Sequence, residues 1–218
     1  MTFELVKSDD AVRTYISRAD MTLESLGFTE HSFAHVTQVA ERSAYILETL
    51  GYDARTVELA KIAGYMHDIG NVINRVDHSQ SGAVMAFRIL DRMDFPPEEI
   101  AIIISAIGNH DEGTGTPVNE VAAALIIADK SDVRRSRVRN PDDVKVDIHD
   151  RVNYSVTDSD LKVDVQNRSL LLSLEVDSAI SSPMEYLEIF MKRMLLCRSA
   201  SQKLGLQFHL KINGQKLV

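Results

Sequence analysis

The sequence predicts an α+β fold, in which a mainly α-helical bundle is followed by a small antiparallel sheet with one helix. Two patterns indicate this fold. Up to about residue 135, apolar residues recur at helical spacing between residues that cap or end helices. Beyond about residue 150, apolar and polar residues alternate, which is the period of a half-buried strand. We therefore expect a helical domain over residues 1–140 and a small α/β domain over residues 150–218.

Helix boundaries in the N-terminal part are marked by short capping residues, glycine and proline. Ser8 is the predicted cap of the first helix, and Gly27 and Gly51 follow the first two periodic segments, as expected of residues that end helices. Pro96 and Pro97 open the fifth segment, where proline is tolerated because the first helical N–H groups have no partner in the helix. The predicted helices cover about residues 8–26, 30–50, 54–67, 78–93, 96–109 and 119–133.

The pattern changes after residue 133, where a predicted domain boundary begins. Four arginines precede the segment Asn140-Pro141-Asp142-Asp143; they are Arg134, Arg135, Arg137 and Arg139. A guanidinium group suits phosphate, but we interpret these arginines first as solvated side chains paired with acids. Strand alternation then covers residues 152–156, 161–165 and 170–176, with turn-like breaks at 158–160 and 167–168. A helix over residues 183–204 and a strand over 206–212 complete the predicted sheet.

Composition limits the classes of function. The chain has 218 residues, of which 44% are hydrophobic and 26% charged, as is typical of a globular protein with a real core. Its net charge of -8 argues against nonspecific binding to nucleic acid, although bound cations would still allow an anionic substrate. The longest apolar run, from Val121 to Ala128, is too short for a membrane span, and the N-terminus does not resemble a signal peptide. We therefore expect a cytoplasmic protein with no membrane partner.

The single cysteine, Cys197, restricts the metal chemistry. One cysteine cannot form a disulfide within the chain, which suits a reducing compartment. A thiolate cluster is also excluded, so any metal must use histidine and carboxylate ligands. We interpret Cys197 as a small buried apolar residue.

Three strongly apolar helices end in side chains that can bind a metal. Residues 62–66 lead into His67-Asp68, residues 100–108 lead to His110, and residues 121–128 lead to Asp129. Helices that are apolar on all sides are buried, and a buried carboxylate is costly unless it is paired or ligates a metal. With His35 on the second helix, the sequence therefore predicts one metal site.

The order of these residues resembles the HD-domain superfamily of metal-dependent phosphohydrolases. The matching residues are His35, the segment His67-Asp68-Ile69-Gly70, and Asp129, within about residues 28–135. The resemblance implies that His35, His67, Asp68 and Asp129 ligate a metal and that Asp68 bridges to a second one. His78, in a His-x-x-x-Gly-Ala segment, and His110 are similar to second-metal ligands in some branches of the superfamily.

The resemblance also implies a reaction. We expect hydrolysis of a phosphate mono- or diester, a nucleotide or another small phosphorylated molecule, by a metal-activated hydroxide. One or two divalent ions would serve as cofactor, with Mn, Fe, Ni, Co, Zn and Mg as candidates. Asp68, Asp111 and Lys130 are the candidate catalytic residues, and Glu112 is a further group that could transfer a proton or contact phosphate.

The sequence departs from the family pattern in two places. Asn71 stands where a lysine often follows the His-Asp-Ile-Gly segment, so a phosphate contact there is in doubt. The segment Gly113-Thr-Gly-Thr-Pro117 follows one histidine rather than two, which argues against a cyclic-di-GMP phosphodiesterase of the usual kind. His31, His149 and His209 fall outside any ligand pattern, and we interpret them as structural or surface residues.

Two other functions remain open at this point. A di-iron oxygenase of the same superfamily would use the same types of ligand, and a noncatalytic metal- or nucleotide-binding sensor would need only part of the site. The intact ligand set argues against the sensor. The C-terminal region carries no motif that indicates a chemical reaction. Formation of a homodimer and covering of the site are two roles that it could have.

Overall fold

The structure is a computed structural model that describes residues 1–139 and 148–217. Its helices are α1 (Phe3–Ser8), α2 (Asp10–Ser25), α3 (Phe33–Thr49), α4 (Ala54–Met66), α5 (His78–Arg92), α6 (Pro97–Gly108), α7 (Glu120–Lys130), α8 (Ile148–Ser155) and α9 (Pro183–Lys203). Its strands are β1 (Val156–Asp164), β2 (Ser169–Val176), β3 (Gln207–Ile212) and β4 (Gln215–Lys216). This arrangement confirms the predicted α+β class. The predicted boundary segment Asn140-Pro141-Asp142-Asp143 lies outside the described residues.

Side-chain caps explain where several of the helices begin. Asp9, Ser32, Asp53 and Asn119 each accept hydrogen bonds from N–H groups in the first turn of the following helix. Ser8 ends the short helix α1 instead of capping α2, because the carboxylate of Asp9 takes the N–H groups of the first turn. The six predicted helices are otherwise present, with ends that differ by a few residues.

Helix α7 lies at the centre of the bundle. Every side chain from Val121 to Ala128 is fully buried, as the unbroken apolar run predicts. Helices α3 and α4 pack against it and against each other. The contact between α3 and α4 is close, because a Cβ atom added to Gly64 would lie only 2.8 Å from the Cα atom of Ala40. The helices that carry His35, His67 and Asp129 are therefore held side by side.

The sheet is mixed rather than antiparallel throughout. Its order is β1-β2-β3-β4, with β1 antiparallel to β2 and β3 antiparallel to β4, but β3 runs parallel to β2. The reason is that helix α9 connects β2 to β3 as a crossover, and a crossover returns the chain in the same direction. Alternation along each strand cannot reveal this direction.

The predictions of a strand over residues 152–156 and of a turn-like break at residues 158–160 are also wrong. Val152 and Tyr154 lie on helix α8, and the strand begins only at Val156. An alternation of three apolar residues is too short to distinguish a strand from one side of a short helix. The polar residues 158–160 lie within β1, because this strand is at the sheet edge and tolerates polar side chains there.

The helices and the sheet share one hydrophobic core. Helix α9 packs on α7 through its buried face, which includes Tyr186, Phe190 and Met194. Cys197 lies on the same face and is fully buried, so its interpretation as a buried residue is confirmed. The division of the chain into two domains stays a prediction. None of the described helices combines the length and apolar character needed to cross a membrane.

Candidate metal centre

One oxygen of the Asp68 carboxylate faces two imidazoles. Its Oδ2 atom lies 3.1 Å from Nε2 of His67 and 3.6 Å from Nε2 of His35. The Oδ1 atom of Asp129 approaches the same two nitrogens, at 3.4 Å from His35 and 3.7 Å from His67. These four residues thus form one group of two nitrogens and two carboxylates.

The other oxygen of Asp68 faces a second pair of imidazoles. Its Oδ1 atom lies 3.4 Å from Nε2 of His78 and 3.9 Å from Nε2 of His110, and these two nitrogens are 3.1 Å apart. The structure therefore brings together all six residues predicted as metal ligands, with Asp68 between the two groups. Their role as ligands stays a prediction.

Helix ends place these residues at one point. His35 lies in the first turn of α3, His67 directly follows α4, and Asp129 lies in the last turn of α7. His78 is the first residue of α5, and His110 follows α6 by two residues. The close approach of α5 to residue 70 requires a glycine, because a Cβ atom there would collide with the carbonyl oxygen of His78.

Each of the four imidazoles is oriented through its Nδ1 atom. Nδ1 of His67, His78 and His110 donates to the carbonyl oxygens of Gly64, Arg75 and Ile107, at 2.8, 3.0 and 2.7 Å. Nδ1 of His35 lies 2.7 Å from Oδ2 of Asp132. Because these oxygens accept hydrogen bonds, Nδ1 carries an N–H. Nε2 is therefore the nitrogen through which each ring would bind a cation, after any proton on it has been displaced.

The chemistry of the buried atoms fits a divalent metal. Nε2 of His35 and Nε2 of His67 are fully buried and have no hydrogen-bond partner among the described residues. Two sets of ligand atoms each lie within 4.8 Å of one another: His35, His67 and Asp129, and His67, Asp68 and His110. Imidazole nitrogen with carboxylate oxygen is a donor set that suits Mn, Fe, Co, Ni or Zn.

Electrostatics keep both carboxylates ionised. Burial by itself would raise the pKa of Asp68 and of Asp129, but the neighbouring charges outweigh burial. His67 holds the pKa of Asp68 well below its ordinary value, and the ammonium group of Lys130 does the same for Asp129. Burial would lower the pKa of His67, yet the two carboxylates raise it to about 10.

Two residues that the sequence did not assign to the site position its ligands. Nδ2 of Asn71 donates to Oδ1 of Asp68 at 2.9 Å, so the residue that replaces the family's lysine holds the central carboxylate. Asp132 orients His35 and also accepts from Nε of Arg134 at 2.6 Å. Asp132 comes three residues after Asp129, just beyond the end of α7, and this short spacing is the signal in the sequence that points to it.

His31 is a fifth imidazole at the site, so its interpretation as a structural or surface residue is wrong. Its Nδ1 atom donates to the carbonyl oxygen of Thr29 at 2.7 Å, and its Nε2 atom lies 3.9 Å from Oδ2 of Asp68. It precedes helix α3 and lies outside the family pattern, so spacing along the chain gave no signal for it.

The other predicted catalytic residues lie in different surroundings. Lys130 is buried, with Nζ 2.8 Å from Oδ2 of Asp129 and 2.6 Å from Oε2 of Glu112. The Asp111 carboxylate accepts from the N–H of Gly113 at 3.2 Å, within its own loop. Lys130 borders the cavity beside the ligands, whereas Asp111 is not among the described residues that line it. Both catalytic roles stay predictions.

A cavity of about 330 Å³ opens beside the ligand groups. Four of its lining side chains are cationic, namely those of Arg75, Lys130, Arg137 and Arg193. The remaining lining residues are Leu26, Gly27, Phe28, Thr29, His31, Asp68, His78, His110, Asp129, His149, Asp150 and Asn153. His149 therefore also borders the cavity, while His209 lies on β3.

The four arginines after α7 divide into two kinds. Arg134, Arg135 and Arg139 pair with Asp132, Asp177 and Asp20, which confirms the interpretation of acid-paired side chains for these three. Arg137 also approaches the carboxylate of Asp132, at 3.9 Å, but it is buried, donates to the carbonyl oxygens of Asp132 and Glu30 at 2.7 and 2.9 Å, and lines the cavity.

Three comparisons with known proteins show what the chain is similar to. The uncharacterized protein MJ1020 of Methanocaldococcus jannaschii is 28% identical over 160 residues, which are 63% of this chain and 61% of that protein. The chain thus spans less than two thirds of that relative. A solved structure, described as a predicted HD superfamily hydrolase from an uncultured Thermotogales bacterium, is 26% identical and superposes with a TM-score of 0.45. The superposition covers 60% of this chain and 73% of that one. The model of the HD domain matches residues 32–153, more than half of the sequence, and the chain therefore belongs to the HD-domain family.

Proposed function

We propose that the chain is a metal-dependent phosphohydrolase. It would cleave a phosphate mono- or diester, a nucleotide or another small phosphorylated molecule. The observation that carries this proposal is the position of Asp68, whose two oxygens face separate groups of ligand atoms beside a cavity with cationic walls. Membership of the HD-domain family supports the general class of reaction.

The charges around the cavity favour an anionic substrate. The chain as a whole carries a net charge of -8, but four cationic side chains line this one cavity. Two of the lining carboxylates, those of Asp68 and Asp129, belong to the predicted ligand set and would be neutralised by bound cations. The local field is then positive in a negatively charged protein, and such a field attracts phosphate esters.

The residues have distinct tasks in this proposal. His35, His67, Asp68 and Asp129 would hold one ion, and Asp68, His78 and His110 would hold a second. A bound divalent ion lowers the pKa of water to give a nucleophile at neutral pH and withdraws charge from a phosphoryl oxygen. Asn71 fixes Oδ1 of Asp68, and Lys130 binds Oδ2 of Asp129 so that Oδ1 is left facing the two imidazoles.

Lys130 has a second property that suits phosphate chemistry. Burial would lower its pKa, but the carboxylates of Asp129 and Glu112 outweigh burial and raise the pKa above its ordinary value. Without a bound metal, the side chain is therefore an ammonium at neutral pH and supplies positive charge to the cavity.

One experiment tests the proposed function against its alternatives. The chain is purified without chelator, its metal content is measured by elemental analysis, and it is then assayed against phosphatase and nucleotide substrates with Mn, Fe, Mg and Ni. We expect phosphate release that depends on metal and disappears in Asp68→Ala. Tightly bound iron whose colour changes on reduction, without phosphate release, would instead identify an oxygenase. Bound metal with neither activity would identify a sensor.

A further inference from the structure

We propose that Arg193, on the C-terminal helix α9, binds the phosphate group of the substrate, so that α9 completes the site. This inference rests on the proposed function. Arg193 lies outside residues 32–153, which are the part of the chain that the HD-domain model matches. The C-terminal region would thus supply a substrate-binding residue that the family pattern does not contain.

A line of alternating charges connects Arg193 to the ligand set. Nε of Arg193 donates to Oε1 of Glu112 at 2.7 Å, and Oε2 of Glu112 lies 2.6 Å from Nζ of Lys130. Nζ of Lys130 in turn lies 2.8 Å from Oδ2 of Asp129. The guanidinium group is therefore fixed beside the predicted metal ligands although it comes from a different part of the chain.

This line holds two cations and two carboxylates, so its charges balance only while Asp129 is not also shared with a metal ion. Glu112 is shared by two cations, and the carboxylate of Asp129 is also needed by the metal site. Once Asp129 ligates an ion through Oδ1, its charge is shared between that ion and Lys130, and Glu112 is the one carboxylate of the line that faces only Arg193 and Lys130. An anion in the cavity would restore the balance, and phosphate is the anion that the proposed reaction places there.

The side chain of Arg193 is held in a defined orientation. Its guanidinium carbon lies 4.4 Å from the centre of the Phe190 ring, which is itself buried. The side chain is 26% exposed and lines the cavity. Because Glu112 engages Nε, the plane of the guanidinium group is set before substrate arrives. Arginine presents several N–H groups in one plane, which suits the oxygens of a phosphate group.

A purely structural role would leave Arg193 as a counterion for Glu112. Arg151, on α8, offers a matched control. Its guanidinium pairs at 2.6 Å with Glu185, which lies on α9 like Arg193, but Arg151 does not line the cavity. Arg151→Gln removes an ion pair to α9 without removing charge from the site. Arg193→Lys keeps the charge but loses the planar arrangement of donors.

The test uses the full chain loaded with Mn²⁺ and inorganic phosphate as the probe. We expect Arg193→Gln to weaken phosphate binding by about 10- to 100-fold, the effect of losing a charged hydrogen bond. The KM for any phosphoester that the chain hydrolyses should rise by a similar factor. The phosphate affinity of Arg193→Lys should lie between those of the wild type and Arg193→Gln. Arg151→Gln should bind phosphate like the wild type. Metal content and Tm should be unchanged in Arg193→Gln.

Several outcomes would overturn the inference. They are wild-type phosphate affinity in Arg193→Gln, an affinity that falls only together with metal content, or a wild-type chain that does not bind phosphate. The proposed function fails separately, if the metal-loaded wild type binds phosphate but releases none from any substrate. In that case the assignment of Arg193 to an anion site would still stand on the binding data.

Discussion

Asp132 accepts a hydrogen bond from Nδ1 of His35 at 2.7 Å, across 97 positions of the chain. The contact turns Nε2 of His35 toward Asp68 and Asp129. Burial would raise the pKa of Asp132, but His35 and Arg137 hold it below its ordinary value, so the carboxylate is charged at neutral pH. Asp132 therefore orients a predicted metal ligand and does not itself belong to the predicted ligand set.

We expect Asp132→Asn to weaken metal binding by about 10- to 100-fold, as is common when the residue that orients a histidine ligand is changed. Titration of the metal-free chain with Mn²⁺ measures the effect. Asp158→Asn, an exposed acid on β1, is the control and should bind like the wild type. An unchanged affinity in Asp132→Asn would show that this hydrogen bond does not support a metal ligand.

Because the two oxygens of Asp68 face separate groups of ligand atoms, we expect a variant of one group to lose only the ion that this group would hold. His110→Ala removes a nitrogen from the Oδ1 side only, so we expect the chain to lose one ion and keep the other. Elemental analysis gives the number of ions per chain. His209→Ala, on β3, serves as the control and should keep both. Loss of all metal in His110→Ala, or of none, would argue against two separate ion positions.

Metal affinity should increase with pH. The carboxylates around His67 raise its pKa to about 10 in the metal-free chain, so below that pH the ring is protonated at Nε2. An ion must displace this proton, and each proton displaced changes the apparent affinity by about tenfold per pH unit. Calorimetry of Mn²⁺ binding at pH 6.5 and 8.5, in two buffers with different heats of ionisation, counts the protons released. Equal Mn²⁺ affinity at both pH values, with no release of protons, would contradict the raised pKa of His67.

The contact between α3 and α4 predicts contrasting effects of two glycine substitutions. In Gly64→Ala the new Cβ would lie 2.8 Å from the Cα atom of Ala40, and we expect a loss of about 1 to 3 kcal/mol in the free energy of unfolding. In Gly108→Ala the nearest atom is the Cβ of Ala83 at 3.6 Å, so we expect no loss. Thermal unfolding of both variants and of the wild type measures the change in the free energy of unfolding. Equal stability of the two would mean that the helices do not approach so closely.

Much of the site could be predicted from the sequence because its ligands follow recognisable patterns. His67, Asp68 and Asp129 stand where buried apolar helices end, and the structure brings them together as that pattern predicts. Asp132, His31 and Arg193 could not be assigned in the same way. Their importance comes from contacts made across the fold, and each residue by itself is compatible with an ordinary surface or core position.

The fold was predictable to a similar degree. The helical N-terminal part follows from its periodicity and stop residues, whereas the parallel pairing of Leu172 on β2 with Leu210 on β3 depends on how α9 packs. Local sequence does not encode strand direction. Tyr154 was predicted in a strand, although it lies on α8, because an alternation of three apolar residues is too short to distinguish the two structures.

The most direct test of the central claim is the number of divalent ions bound per chain by the wild type and by Asp68→Ala. Asp68 lies between both groups of ligand atoms, so its removal should affect both positions at once. We predict two ions for the Mn²⁺-loaded wild type and none retained by Asp68→Ala after dialysis, with the helical circular dichroism preserved. Full metal content in Asp68→Ala would contradict the account.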